Sequence, residues 1–79
     1  MVAARAYILV STVPGMEKQV KDEVSIIKGV CSVDLVYGSF DLVVKIESEG
    51  PYNSSLLLQT VRKVRAVIGA KVILTMSTL

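Results

Sequence analysis

A short segment near the middle of the chain gathers groups that could bind a small molecule. Gly38, Ser39, Phe40 and Asp41 follow one another, so a flexible backbone, a hydroxyl, an aromatic ring and a carboxylate lie within four residues. The carboxylate can pair with a ligand ammonium group, and the backbone N–H groups of such a turn can bind a ligand carboxylate. Together these groups suit an α-amino acid. The alternative is that Asp41 only accepts hydrogen bonds from its own turn, as aspartate commonly does.

Composition restricts what else the chain can do. It contains no His, no Trp and a single Cys, Cys31. Acid–base catalysis by imidazole is therefore excluded, no His can activate the Cys31 thiol, and a Cys/His metal site or an internal disulfide is not expected. We accordingly expect no enzyme activity, no catalytic residue, no metal and no cofactor. One unpaired Cys is typical of proteins in a reducing cytoplasm, which is the predicted location.

Length, charge and hydropathy indicate one small domain with surplus apolar surface. The chain has 79 residues, taken as a single domain 1–79, with a net charge of +2 and 52% hydrophobic residues. The weak charge does not favour direct nucleic-acid binding, and no apolar run approaches the roughly 18 residues of a membrane-spanning helix. This is more apolar material than one small core needs, so we expect self-association to cover the excess.

Hydrophobic periodicity predicts the elements that position the central segment. Alternating apolar residues indicate strands, and apolar residues three and four positions apart indicate helices. The predicted order is strand 5–13, helix 16–28, strand 30–37, strand 40–47, helix 51–67 and strand 70–76. In this interpretation Gly38 and Ser39 form a tight two-residue hairpin turn between the second and third strands. Gly29 and Gly69 are expected to end the two helices.

This order predicts an α+β, ferredoxin-like βαββαβ fold, with a four-stranded antiparallel sheet and both helices on one face. The other face would then lie uncovered. It is too apolar for water, because either Val43, or Val33 and Leu35, must be exposed in any register. We therefore expect the sheet to pack against a second copy, burying about 800 Å² on each partner.

Two other groups of side chains are weaker candidates. The hydroxyl groups of Thr75 and Ser77 in the last strand could bind a polar ligand, or simply face water. Arg62, Lys63 and Arg65 could contact phosphate, but the end of a helix is also where solvated basic residues are common.

Four stretches in this order resemble the ligand-binding and assembly domain, the RAM domain, of Lrp/AsnC-type transcription regulators. The most specific is the Gly-x-x-Asp turn followed by an apolar strand, and the match covers essentially the whole chain. The stretches are Val13–Gly15, Ile27–Val30, Tyr37–Lys45 and Ile68–Ala70. The regulators of this family also carry a helix-turn-helix DNA-binding domain. This chain shows none, so we expect a stand-alone ligand domain.

The resemblance implies a specific function. It implies dimers formed through the sheets and rings of dimers, commonly octamers, with amino-acid effectors bound between subunits. Co-assembly with full-length Lrp/AsnC-type regulators is a further expectation. The ligand-binding residues carried over by position are Tyr37, Gly38, Ser39, Phe40, Asp41, Thr75 and Ser77.

Two other functions remain open on the sequence. The same topology, paired through its sheets, occurs in dimeric α/β-barrel enzymes such as small monooxygenases and isomerases. Those enzymes need a polar group in the cleft, commonly His, Asn or Trp, and the only Asn of this chain is Asn53. The other possibility is a purely structural assembly module whose turn binds nothing.

Overall fold

The fold consists of two strand–helix–strand units that share one sheet. The computed structural model describes residues 2–46 and 51–78, with the side chains of residues 6–46 and 55–73. The elements along the chain are β1 (Val2–Thr12), α1 (Glu17–Ser25), β2 (Val30–Leu35), β3 (Leu42–Ile46), α2 (Pro51–Arg62) and β4 (Val67–Thr78). Within these residues no helix is long and apolar enough to cross a membrane.

The four strands form one antiparallel sheet in the order β2-β3-β1-β4. The predicted ferredoxin-like α+β fold is therefore confirmed. β1 lies in the centre, where Ile8 is paired with Val44 of β3 and with Val72 of β4. β1 and β4 are also the longest strands, and their pairing continues beyond the end of β3 to Val2 and Thr78.

One hydrophobic core lies between the sheet and the two helices. The inward residues of the central strands alternate with outward ones, and α1 and α2 add valines from above the same face. The buried members are Ala6, Ile8, Val10, Val20, Val24, Val33, Leu42, Val44, Ile46 and Val61. Burying one side chain of this kind contributes roughly 1.5–3 kcal/mol to stability.

The opposite face of the sheet carries no helix within the described residues. We call this the open face. Its position follows from alternation, because Ile8 and Val10 point into the core and their neighbours in β1 must point away. The described residues that point to this side are Tyr7, Leu9, Ser11, Ser32, Asp34, Val43, Lys45, Lys71 and Ile73. Of the two alternatives that the sequence left open, Val43 is the one on this face, beside Leu9 and like it half-buried, whereas Val33 lies in the core.

The connection between β2 and β3 is longer than the predicted two-residue turn. β2 ends at Leu35 and β3 begins at Leu42, so the loop spans residues 36–41. It is closed by a hydrogen bond from the Val36 N–H to the Asp41 carbonyl, at 3.0 Å. Phe40 and Asp41 therefore belong to the loop and not to the strand. Gly38, at φ +146°, is the residue of the loop that needs glycine.

Both helices end earlier than predicted, and in the same way. α1 stops at Ser25 and α2 at Arg62, and each is followed by two successive turns closed by valine and isoleucine backbone groups. The residue before the next strand then takes a positive φ, Gly29 (+98°) in the first half and Ala66 (+74°) in the second. Gly69, predicted to end the second helix, instead lies within β4 opposite Ser11.

The same local design continues into the strands. The pairing slips by one residue between Val30 and Ser32, and again between Val67 and Gly69. The extra residues at these bulges are Cys31 and Ile68, and both are exposed. Val30 and Val33 are three residues apart and would lie on opposite faces of a regular strand, but the one inserted residue reverses the alternation, so both pack against the same core.

The paired turns allow a direct test of backbone strain. A residue with a Cβ at positive φ costs roughly 1 kcal/mol relative to glycine, partly offset by the greater freedom of glycine in the unfolded chain. We expect Ala66→Gly to raise the free energy of unfolding by about 0.5 kcal/mol in urea denaturation. Gly29→Ala should lower it by about 1–2 kcal/mol, since its Cβ would also lie 3.1 Å from Leu57 Cδ1. Equal effects of the two changes would contradict this.

Candidate functional site

Asp41 joins the loop to the end of the central strand. Its backbone N–H donates to the Val10 carbonyl at 2.9 Å, and its carbonyl accepts from the Val36 N–H at 3.0 Å. Its side chain also takes part, since Oδ2 accepts a 2.8 Å hydrogen bond from the backbone N–H of Thr12. Three bonds therefore fix one half-buried residue, and the direction of its carboxylate is set by the end of β1.

The side-chain bond differs from the alternative considered for Asp41 in the sequence analysis. That alternative was acceptance from its own turn, whereas Asp41 accepts from a residue 29 positions earlier in the chain. The carboxylate thus has a structural role whether or not it also binds a ligand. Thr12 donates its N–H here because the pairing of β1 with β3 extends only to Val10, which leaves the last residues of β1 free on that side.

An open cleft with a volume of about 360 Å³ lies beside this carboxylate. It is lined by Glu17, Leu35, Val36, Tyr37 and Asp41. The cleft thus lies between the two ends of the loop and the first residue of α1. The volume lies within the range of small-molecule sites in proteins and is large enough for an amino acid.

The lining combines two carboxylates with an apolar wall. Glu17 is held in place by a 3.2 Å hydrogen bond from the Gly15 N–H to its Oε1. No basic side chain is among the lining residues, so the cleft favours a positively charged group. The sequence did not single out Glu17, because only the folding of α1 beside the loop brings it near Asp41.

The other predicted loop residues flank the cleft without lining it. Gly38 and Ser39 are exposed and Phe40 is half-buried. Among the described residues, the N–H groups of these three residues donate no backbone hydrogen bond. A Cβ at Gly38 would meet nothing within 4 Å. These amides are therefore free to bind an acceptor from outside the chain.

Thr75 and Ser77 lie far from this loop. In β4 they are opposite Arg5 and Ala3, near the start of β1, whereas Asp41 is bonded near its end. The seven residue-to-residue steps of strand from Arg5 to Thr12 separate the two places by about 23 Å. Their side chains are outside the described residues. One chain therefore does not bring the predicted hydroxyl groups and the predicted loop together.

Thr12 presents an unusual buried group next to the site. Its side chain is 3% exposed, and among the described residues its Oγ1 has no hydrogen-bond partner. A buried hydroxyl without a partner costs about 1–3 kcal/mol. Thr12 therefore combines a destabilising side-chain hydroxyl with a backbone N–H that orients the Asp41 carboxylate.

Comparison with known proteins gives relatives in structure only. Neither a scan against protein-family models nor a search of curated proteins gives a match. Among solved structures, the hypothetical protein PHS023 from Pyrococcus horikoshii has 24% identity and a TM-score of 0.80 over 92% of this chain and 89% of its own. FFRP-DM1 has 24% identity and a TM-score of 0.81, over 92% and 99%.

A third neighbour, TTHA0845 from Thermus thermophilus, is 15% identical with a TM-score of 0.83, and 98% of each chain is covered. At these identities the likeness is one of fold. The chain therefore shares its fold with these solved structures, and membership of the Lrp/AsnC family stays an expectation from the sequence.

The Thr12–Asp41 bond predicts how two substitutions of Asp41 differ. Asp41→Ala removes the acceptor of a largely buried N–H and should lower the free energy of unfolding by about 1–2 kcal/mol in urea denaturation. Asp41→Asn keeps an acceptor oxygen and should cost less than half as much. If alanine and asparagine were equally harmful, the charge and not the hydrogen bond would be what stabilises the loop.

The buried Oγ1 of Thr12, which has no hydrogen-bond partner among the described residues, predicts that its removal stabilises the fold. Thr12→Val replaces a buried, unpaired O–H by a methyl group of similar volume, so it should raise the free energy of unfolding by about 1 kcal/mol. Thermal unfolding followed by circular dichroism checks this, with the exposed Thr60→Val as the control. A loss of stability in Thr12→Val would show that the hydroxyl has a partner.

Proposed function

We propose that this chain is an amino-acid-binding and self-assembling module of the Lrp/AsnC type. The observation that carries the proposal is the cleft itself: an oriented carboxylate, Asp41, lies beside an apolar wall, next to loop amides that bind nothing within the described residues. The four sequence stretches that resemble the family and the fold shared with FFRP-DM1 support the same function.

The chemistry of the cleft suggests how an amino acid would bind. The ligand ammonium group would lie between the carboxylates of Asp41 and Glu17, where two negative charges offset the cost of removing it from water. Its side chain would pack against Leu35, Val36 and Tyr37. The α-carboxylate would accept hydrogen bonds from the amides of the loop at residues 38–40, away from the two acidic side chains.

Self-association is part of the proposal because one chain leaves two things incomplete. The open face exposes apolar side chains of the two central strands, and the strand positions of Thr75 and Ser77 are about 23 Å from the end of β1 that bonds Asp41. A dimer would cover the face, and a ring of dimers would bring the end of β4 from another copy to the cleft. Full-length Lrp/AsnC-type regulators are the proposed heterologous partners, in the cytoplasm.

Binding is proposed in preference to catalysis. The chain has no His and no Trp, and the cleft offers only carboxylates, a phenol and backbone groups. We propose no direct role with nucleic acid or membranes, and no cofactor. Turnover of a small quinol or lactone by the purified chain would favour the enzyme alternative instead.

Thermal shifts with a panel of the common amino acids test the binding site. A ligand present at about 100 times its dissociation constant stabilises a protein by about 2.7 kcal/mol, which raises the melting temperature of so small a domain by several degrees. We expect one or a few amino acids to do this. Asp41→Asn should weaken that ligand about tenfold or more, because it removes the charge that faces the ammonium group.

The matched control is Asp22→Asn, which removes an exposed carboxylate of α1 that lies outside both the cleft and the open face. Its melting temperature should rise with the ligand as that of the natural chain does. An absence of any shift across the panel, or equal weakening by both variants, would contradict amino-acid binding at Asp41.

A further inference from the structure

The open face has a charge pattern that selects one arrangement of two copies. One row across the sheet is given by the pairing of Asp34 with Val43, of Val43 with Leu9, and of Leu9 with Lys71. An exposed acid thus lies on the β2 edge and an exposed base on the β4 edge, with two half-buried apolar residues between them. The next row carries Lys45 beside Tyr7 on the two central strands.

Two copies that pack face to face through a two-fold axis can be arranged in two simple ways. If the axis runs along the strands, each row meets the same row of the partner with its ends exchanged. If the axis runs across the strands, each strand meets itself in the opposite direction. Aligned sheets depart from these ideals by about 30°, a shift that long side chains can follow.

The arrangement along the strands matches every group of the first row. Asp34 would face the partner's Lys71 at both edges, and Val43 would face the partner's Leu9 in the middle. In the second row, Lys45 would lie over the ring of the partner's Tyr7, a favourable cation–π contact. The symmetry itself sets the register, because this rotation does not change a residue's height along the strand.

The arrangement across the strands matches poorly. Centred on the first row, it places Asp34 against the same residue of the partner and does likewise for Lys71, so like charges meet. Centred on the second row, it places the two copies of Lys45 together. Centred between the rows, it sets the apolar Val43 against the partner's Lys45. Such contacts oppose association.

We propose that the open face binds a second copy with the strands aligned and the sheet edges exchanged, selected by Asp34 and Lys71 at the edges and by Lys45 and Tyr7 within. This inference rests on the self-association in the proposed function and adds to it the arrangement and the residues that determine it. Each β4 then lies over the partner's β2 at an edge of the dimer, and the rotation leaves Thr75 and Ser77 at the end of the strands opposite the clefts of both copies, so β4 would reach a cleft only in a further dimer of a ring.

Charge reversal at the two edges tests the arrangement. Asp34→Lys and Lys71→Asp each place like charges at both edges of the dimer, so each should raise the dissociation constant about tenfold or more, as measured by analytical ultracentrifugation. The double variant restores opposite charges and should return to within about threefold of the natural chain. Raised salt should reduce all of these differences.

Asp34→Ala separates the two arrangements. It should weaken the dimer if Asp34 faces a lysine, and strengthen it if Asp34 faces a second copy of itself. Asp22→Lys and Lys63→Asp make the same charge changes at exposed positions outside the open face, and both should leave the dissociation constant unchanged. Circular dichroism confirms that each variant is folded.

The outcomes distinguish this inference from the proposed function. A dimer that is indifferent to both reversals, that the double variant fails to restore, or that Asp34→Ala strengthens would overturn the arrangement and leave amino-acid binding as it stands. A natural chain that stays monomeric would overturn the inference and the self-association together. Amino-acid binding is measured separately by the thermal shifts.

Discussion

The central strand β1 sets the main constraint on this structure, because it is apolar on both of its sides. Ala6, Ile8 and Val10 are fully buried beneath the helices, whereas Tyr7 and Leu9 point to a face that no helix covers within the described residues. Both helices of the described chain pack on the same side of the sheet. The proposed self-association and the proposed arrangement of the dimer are both argued from this uncovered apolar side.

Patterns that depend on neighbouring residues predicted the fold well. The strand and helix order, the core side of β3 and the uncovered face could all be read from periods of two and of three to four residues. Features that depend on backbone slips could not. The bulges at Cys31 and Ile68 insert single residues that reverse the alternation, and nothing in the composition marks them. The early end of α2 was missed because Val64 and Val67 continue the helical period while their backbone forms turns.

The candidate site shows the same division. Tyr37 and Asp41 line the cleft, and both lie in the loop that the sequence singled out; their role in binding a ligand stays a prediction. Glu17 and the N–H of Thr12 come from distant parts of the chain, so only the fold reveals them. The two-residue turn was predicted from the Gly-Ser pair at 38–39, but the bonds of Asp41 to β1 favour a longer loop, which opens the cleft. Ligand binding by Thr75 and Ser77 stays a prediction, and it requires these residues to come from another copy of the chain.

The internal repeat offers one reason why so small a chain holds its shape. Each half ends its helix with the same two turns, a residue at positive φ and a bulge that starts the next strand. The half that contains the loop uses Gly29 at the strained position, and the other half tolerates Ala66. Asp34 and Lys71 each lie three residues after a bulge residue, Cys31 or Ile68, so the repeat places them at equivalent positions on the two edge strands, and their residue types give these positions opposite charges.

Light scattering on the purified chain, with and without a mixture of the common amino acids, tests the proposed module most directly. The proposed function predicts an assembly larger than one chain at micromolar concentration, whose size or stability changes when the amino acids are added. A monomer that is unaffected by them would contradict it.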